Sequence, residues 1–241
     1  MVISNSRKYI FTHIPKCAGT SITRALAPFC EWNDLVLGST EFGTEIQNAY
    51  NEKFGLEKHS SVRDVVRVVG ERIWSEYFTF TVVRNPFSRI VSWYTFAERA
   101  FHNQNYLRRK APWLYELLDK PLKTSAPIVN AYKETDSFSQ FLRHEDCFGD
   151  DGTSPQVEWL KREAEEDGIS VDYLGRVESM EEDFTRICKR IGVEASLPRE
   201  NVSSTKSYEQ FYESEADARI ILDRYAEDFE LLQYEQTLPV Q

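Results

Sequence analysis

Apolar positions recur with two periods along the chain, and their alternation predicts strands separated by helices. Tyr9-Ile10-Phe11-Thr12-His13-Ile14 is a short run of the kind a buried strand shows. A turn with Pro15 and Gly19 follows. Ile22, Ala25, Leu26 and Phe29 then fall at helical spacing, with Thr20 or Ser21 in place to cap that helix. Residues 31–55 are mixed, with a short helix around Glu45–Phe54. Val62, Val65, Val66 and Val69 restore the helical stripe, and Ser61 with Asp64 resembles a capping box. Tyr77 to Val83 is the clearest strand, rich in aromatic and β-branched residues, and Asn85-Pro86 ends it. Phe87, Ile90, Val91 and Tyr94 open the next helix, with Pro86 suited to its first turn.

Between residues 103 and 155 the pattern is faint. It predicts short helices near Pro112–Leu118 and Ser137–Arg143, and a surface loop at Gly149-Asp150-Asp151-Gly152. Asp172–Val177 reads as a third strand. Phe184, Ile187, Cys188 and Ile191 mark a helix that Gly192 can end. Ala218, Ile221, Leu222, Tyr225 and Phe229 mark one long last helix. Strands alternating with helices predict an α/β fold: a single three-layer domain over residues 1–241, its central parallel sheet flanked by helices.

Composition narrows the class. The chain has 241 residues, 41% apolar and 13% aromatic, enough for a sizeable core. A formal charge of −10 argues against a general nucleic-acid binder. The charge is uneven: residues 1–120 hold 16 basic and 12 acidic side chains, a net of +4, and residues 121–241 hold 13 and 27, a net of −14. No apolar run reaches transmembrane length, and the polar start lacks a signal-peptide core, so the expectation is a cytoplasmic protein without a membrane segment. Cys17, Cys30, Cys147 and Cys188 form no CxxC pair. His13, His59, His102 and His144 form no HxxxH group, so no metal is expected.

Two strand-to-helix junctions carry the candidate chemistry. Such junctions bind anions, because loop amides and the helix N-terminus converge on one spot. The first reads Ile14-Pro15-Lys16-Cys17-Ala18-Gly19-Thr20-Ser21. Its lysine precedes its only glycine, whereas a Walker A loop has lysine after the second, so it is not a standard nucleotide-triphosphate loop. At the second, Arg84 sits where the strongest strand ends and Ser92 lies two turns into the next helix. A guanidinium fork suits phosphate oxygens, and a serine hydroxyl can donate to the same group.

The first junction closely resembles the 5′-phosphosulfate loop of sulfotransferases, particularly the carbohydrate-type and bacterial branch. The second resembles their 3′-phosphate site, an Arg and a Ser eight positions apart. The resemblance implies a P-loop-like sulfotransferase fold and the donor 3′-phosphoadenosine 5′-phosphosulfate (PAPS), leaving as 3′-phosphoadenosine 5′-phosphate (PAP). It implies that Lys16 and the amides of Cys17, Ala18, Gly19, Thr20 and Ser21 hold the 5′-phosphosulfate, with Cys17 structural rather than nucleophilic. Arg84 and Ser92 then take the 3′-phosphate, and Ser203 and Lys206, in a late polar loop, add donor contacts.

In-line transfer to an alcohol needs a base with a pKa near working pH. His59 lies between the two donor motifs, where the resembling enzymes place a histidine or carboxylate. His13 and Glu57 are its rivals. Lys16 can stabilise the leaving oxygen. Gln156 is a further candidate for touching donor or acceptor, and Arg176 and Glu178 share a strand face on which they could pair. Trp32, Tyr106, Trp113 and Tyr115 could stack on an acceptor, with core the default. The acidic back half favours a small or weakly charged hydroxyl acceptor over a polyanion. A P-loop-like nucleotide kinase and a non-catalytic PAP-binding protein of the same fold remain as alternatives.

Overall fold

The computed structural model describes residues 1–110, 126–163, 168–198 and 207–237. They form two compact units. The first comprises Met1–Asn85, Pro155–Asn201 and Glu230–Tyr234; the second comprises Pro86–Ser154, Val202–Phe229 and Glu235–Gln241.

The first unit is built on a five-stranded sheet: β1 (Val2–Ser4), β2 (Tyr9–Phe11), β3 (Leu35–Val36), β4 (Phe78–Val83) and β5 (Tyr173–Arg176), in the order β3-β1-β2-β4-β5. β2, β4 and β5 are parallel, whereas β1 runs antiparallel to both β2 and β3. The expected all-parallel sheet is therefore corrected to a mixed one. β1 and β2 are joined by residues 5–8 alone, and so short a link permits only a hairpin. Asp34 secures that hairpin by accepting from the Ser6 N–H at 2.9 Å and the Ser6 hydroxyl at 2.6 Å.

Period-two alternation along the strands feeds two apolar layers. Tyr9, Phe11, Phe80 and Val82 pack with Ile22 and Leu26 of α1 (Gly19–Leu26) and with Phe184 and Ile187 of an acidic-ended helix, Met180–Ile191. Ile3, Ile10 and Val83 pack on the other side with Val62, Val65 and Trp74. These come from two consecutive helices, Val62–Val69 and Glu71–Glu76. Ser61 and Asp64 close the expected capping box on the first of them. The helix before them, α2 (Glu41–Phe54), starts four residues earlier than its apolar pattern suggests, because the Thr40 hydroxyl caps the Gly43 N–H at 3.0 Å. In chain order these two are α3 and α4.

The second unit is helical: α5 (Pro86–Lys110), α6 (Pro127–Lys133), α7 (Phe138–Arg143), α9 (Glu215–Arg224) and α10 (Ala226–Leu231), with Met180–Ile191 as α8 in the first unit. Its core is aromatic, with Tyr94 ringed by Tyr132, Phe138, Phe141 and Phe211 at centroid distances of 5.0–6.0 Å. The single long last helix is corrected to α9 and α10, which part at Tyr225, whose hydroxyl is held by the Thr153 carbonyl at 2.7 Å. Around Gly149–Gly152 the expected surface loop is only partly so: Asp151–Thr153 forms a 3-10 turn in which Gly152 and Thr153 are buried. The helix expected at Pro112–Leu118 lies outside the described residues.

Asp183 fixes the end of β5. It is buried, yet hydrogen bonds overcome the burial that opposes its ionisation and hold its carboxyl below the usual range. It accepts from the Tyr173 hydroxyl at 2.6 Å, the Ser179 hydroxyl at 2.7 Å and the Arg176 N–H at 2.8 Å. Asp183→Ala leaves these donors without their acceptor, and it is expected to lower the unfolding free energy by about 2–3 kcal/mol. The shift of the urea midpoint measures it.

Candidate active site

The pairing of β2 with β4 continues one residue past the strand, with the Thr12 N–H on the Phe80 carbonyl at 3.1 Å. The Thr81 hydroxyl also donates to the Thr12 carbonyl at 2.9 Å. The chain then enters a tight turn. Lys16 and Ala18 both lie in the left-handed region, at φ 67° and 57°. Each such residue costs about 1–2 kcal/mol. Ala18 is the N-cap of α1 and gives it no side-chain cap, so Thr20 and Ser21 stand in its first turn instead of capping it.

Gly19 is required by space. A Cβ there would lie 2.1–2.5 Å from atoms of the His13 ring. His13 is buried, with its Nδ1 lacking a hydrogen-bond partner. Its ring meets that of His59 edge-on, with centroids 4.5 Å apart. The His59 Nδ1 lies 2.8 Å from the His13 carbonyl. A carbonyl only accepts, so Nδ1 carries the hydrogen and Nε2 keeps the lone pair.

Both imidazoles are neutral at pH 7. Burial, the largest effect, and the nearby lysines bring His59 down to about 3, against the hydrogen bond to the His13 carbonyl, which raises it. His13 is held well below the usual value by burial and then by His59. Glu57, the carboxylate rival, is exposed; its own N–H bonds the Ser60 hydroxyl at 2.8 Å.

Arg84 follows β4 directly, and its Nη1 lies 3.5 Å from the Lys16 carbonyl. The side-chain amide of Gln156 bonds the Arg84 N–H and C=O, each at 2.8 Å. Gln156 Oε1 also accepts from the Cys17 thiol at 3.2 Å. Glu178 takes the Asn85 N–H at 2.8 Å. The structure thus brings the turn that holds Lys16, Cys17, Ala18, Gly19, Thr20 and Ser21 together with Arg84 and the His13–His59 pair.

Ser92 lies in α5 of the second unit, where it is buried, and the Thr95 hydroxyl donates to its carbonyl at 3.3 Å. Ser203 and Lys206 lie outside the described residues. Among the described residues, no group of three or more His, Cys, Asp or Glu side chains is placed to hold a metal ion. Nor is any helix there long and apolar enough to cross a membrane.

Comparison with known proteins decides the family. The profile described as Sulfotransferase family matches residues 1–235. The chain belongs to the sulfotransferase family. An uncharacterized protein of Archaeoglobus fulgidus is 26% identical over 144 residues, covering 58% of this chain and 89% of that protein. No solved structure matches.

In this sulfotransferase chain, sequence reasoning missed Lys58. Its ammonium donates to the Thr20 hydroxyl at 3.2 Å while its stem packs over Gly38. Burial, and then the charge of Arg24, lower its pKa. The signal was its place beside His59, just ahead of the capping box. Two other readings are corrected. Arg176 and Glu178 do not pair with each other but converge on Tyr234: Arg176 lies 4.5 Å over its ring, and Glu178 accepts from its hydroxyl at 3.0 Å. The strand ends at Arg176, so the period-two argument stops there. Trp32 is 94% exposed, which removes it from the core.

The neutral histidines give stability a pH signature. A depressed folded pKa means that the unfolded chain binds more protons below about 6.5, so stability is full above that pH and falls as acid is added. For His59 the loss between pH 7 and pH 5 is about 2 kcal/mol. Urea unfolding at the two pH values is expected to show it, and His59→Gln should remove most of that share.

Proposed function

We propose that this chain moves a sulfuryl group from PAPS to the hydroxyl of a small or weakly charged acceptor, within a P-loop-like fold. The observation that carries this reading is the joining of the two strand-to-helix turns: the Arg84 guanidinium reaches the carbonyl of Lys16, so two cationic, amide-rich turns face one locality.

The acceptor oxygen attacks sulfur in line, and the sulfur–oxygen bond to the 5′-phosphate breaks. PAP departs with that electron pair while the acceptor proton passes to a base. As in phosphoryl transfer, positioning and charge stabilisation supply most of the effect. Lys16 and the amides of Cys17 to Ser21 hold the 5′-phosphosulfate, and Lys16 offsets charge growing on the leaving oxygen. Arg84 and Ser92 take the 3′-phosphate, with Ser203 and Lys206 as further donor contacts.

His59 is the base. Its tautomer leaves Nε2 able to accept a proton, which His13 and Glu57 match less well: His13 is buried beneath Gly19, and Glu57 is exposed. A pKa near 3 is low for such work, but the anionic donor opposes the charge of Lys16 and Lys58 and moves the imidazole upward. A neutral ring in the free protein also keeps His59 ready as a base at pH 7.

Arg84→Ala is expected to weaken PAP binding about a hundredfold, since it removes a charged hydrogen-bonding fork. Calorimetry measures this, and unchanged affinity would overturn the assignment. His59→Ala is expected to leave PAP affinity near normal and lower turnover by about a hundredfold or more. Retained turnover of labelled sulfate from PAPS to hydroxyl acceptors would move the base role to His13 or Glu57.

A further inference from the structure

We infer that Gln156 is a positioning residue: its side-chain amide clamps the Arg84 peptide and ties it to the phosphosulfate turn, setting where the guanidinium stands. This rests on the donor reading above and adds a residue whose side chain need not touch the donor.

β4 ends at Val83, paired with Arg176 of β5. Arg84 is therefore the first residue beyond the parallel ladder. Its N–H and C=O need partners, because a buried or half-buried peptide group left unpaired is costly. Gln156 supplies both from one planar amide, at 2.8 Å each. That is the reciprocal exchange two paired residues make in an antiparallel ladder. A glutamine side chain thus extends the sheet by one residue at the point where the arginine departs.

Two facts set this apart from ordinary packing. Gln156 is wholly buried, so water does not compete for these bonds. Its oxygen also takes the thiol of Cys17, the residue after Lys16, at 3.2 Å. Cys17 is itself buried, with the Pro15 carbonyl 3.6 Å from its sulfur. One carboxamide therefore fixes both turns, and Arg84 adds its own bond to the Lys16 carbonyl. The chain's short turn Gln156–Trp159 presents the amide from seventy-two residues beyond Arg84. The sequence pattern pointed to Gln156 touching donor or acceptor; the geometry assigns it to the peptide of a residue that would.

The test compares two nucleotides. PAP carries the 3′-phosphate and adenosine 5′-phosphate lacks it, so their affinity ratio reports on Arg84. Gln156→Met keeps the volume and removes every hydrogen bond. It is expected to lower PAP affinity about tenfold and adenosine 5′-phosphate affinity by no more than about threefold, measured by calorimetry. Equal losses for both nucleotides, or none for either, overturn the inference, because a merely structural role loosens both. Circular dichroism checks the fold. If Gln156→Met does not fold, Gln156→Asn carries the test: it keeps a neutral carboxamide and draws it back by one methylene from the Arg84 peptide and Cys17. Its affinity ratio is expected to fall about threefold, and an unchanged ratio overturns the inference. Wild-type protein that binds neither nucleotide defeats the donor reading itself. Wild-type protein that prefers PAP, with both variants matching it, defeats the role of Gln156 alone.

Discussion

The parallel pairing of β2 with β4 is the constraint on which the first unit depends. In that register Tyr9 faces Phe78 and Phe11 faces Phe80, so the two strands end at the same edge. Parallel strands each need a crossover, and each crossover here begins with a strand-to-helix turn. The two turns are therefore neighbours by topology, before any side chain is considered. Open α/β sheets bind ligands outside the carboxyl ends of their strands for the same reason. A slip of one residue would turn every side chain to the opposite face, separating Ile10 from Val62 and Phe11 from Ile22. The two apolar layers thus hold the register that brings Arg84 to the Lys16 carbonyl.

That edge is polar, crowded and partly dry, which makes it costly to build. Lys16 and Ala18 adopt left-handed backbone without being glycine. The Nδ1 of His13 is buried without a partner, at an expense of about 1–3 kcal/mol. Lys58 and His59 both have lowered pKa values, with burial the largest cause. These concentrated expenses are offset by the apolar layers behind them, where each buried large side chain contributes about 1.5–3 kcal/mol. Strain and unmatched polar groups gathered at one edge fit a site shaped for something other than stability.

Much of this edge was legible because its signals are local. Pro15, Lys16 and Gly19 mark a turn, Ser61 and Asp64 a cap, and Tyr77 to Val83 a strand, each within a few residues. What escaped depends on partners far along the chain. Val2–Ser4 is too short to show a period, and its antiparallel pairing is secured by Asp34, thirty residues away from Ser4. Arg89 is buried with its guanidinium on the carbonyls of Gly152 and Ser154, at 2.6 and 2.8 Å, more than sixty residues along the chain. Gln156 is seventy-two residues from the peptide it holds. Periodicity reports which face a side chain takes, and it carries no record of a single hydrogen bond across such a distance.

The charge of the chain also takes its meaning from position. A surplus of acid in the second half of the sequence does not set the potential at this edge, because exposed charges are screened beyond about 8 Å at physiological ionic strength. What acts there is close by: Lys58 bonds the Thr20 hydroxyl, and Arg84 bonds the carbonyl of Lys16, so three cationic residues share one turn. Burial, and after it the charge of Arg24, lower the pKa of Lys58. An anion seated beside Lys58 would oppose both effects, since an opposite charge favours the protonated amine. Burial is likewise the largest cause of the low value for His59, and the charges of Lys58 and Lys16 add to it. Burial thus disfavours the charged forms of Lys58 and His59 alike, and an anion beside them is the one change that would favour both.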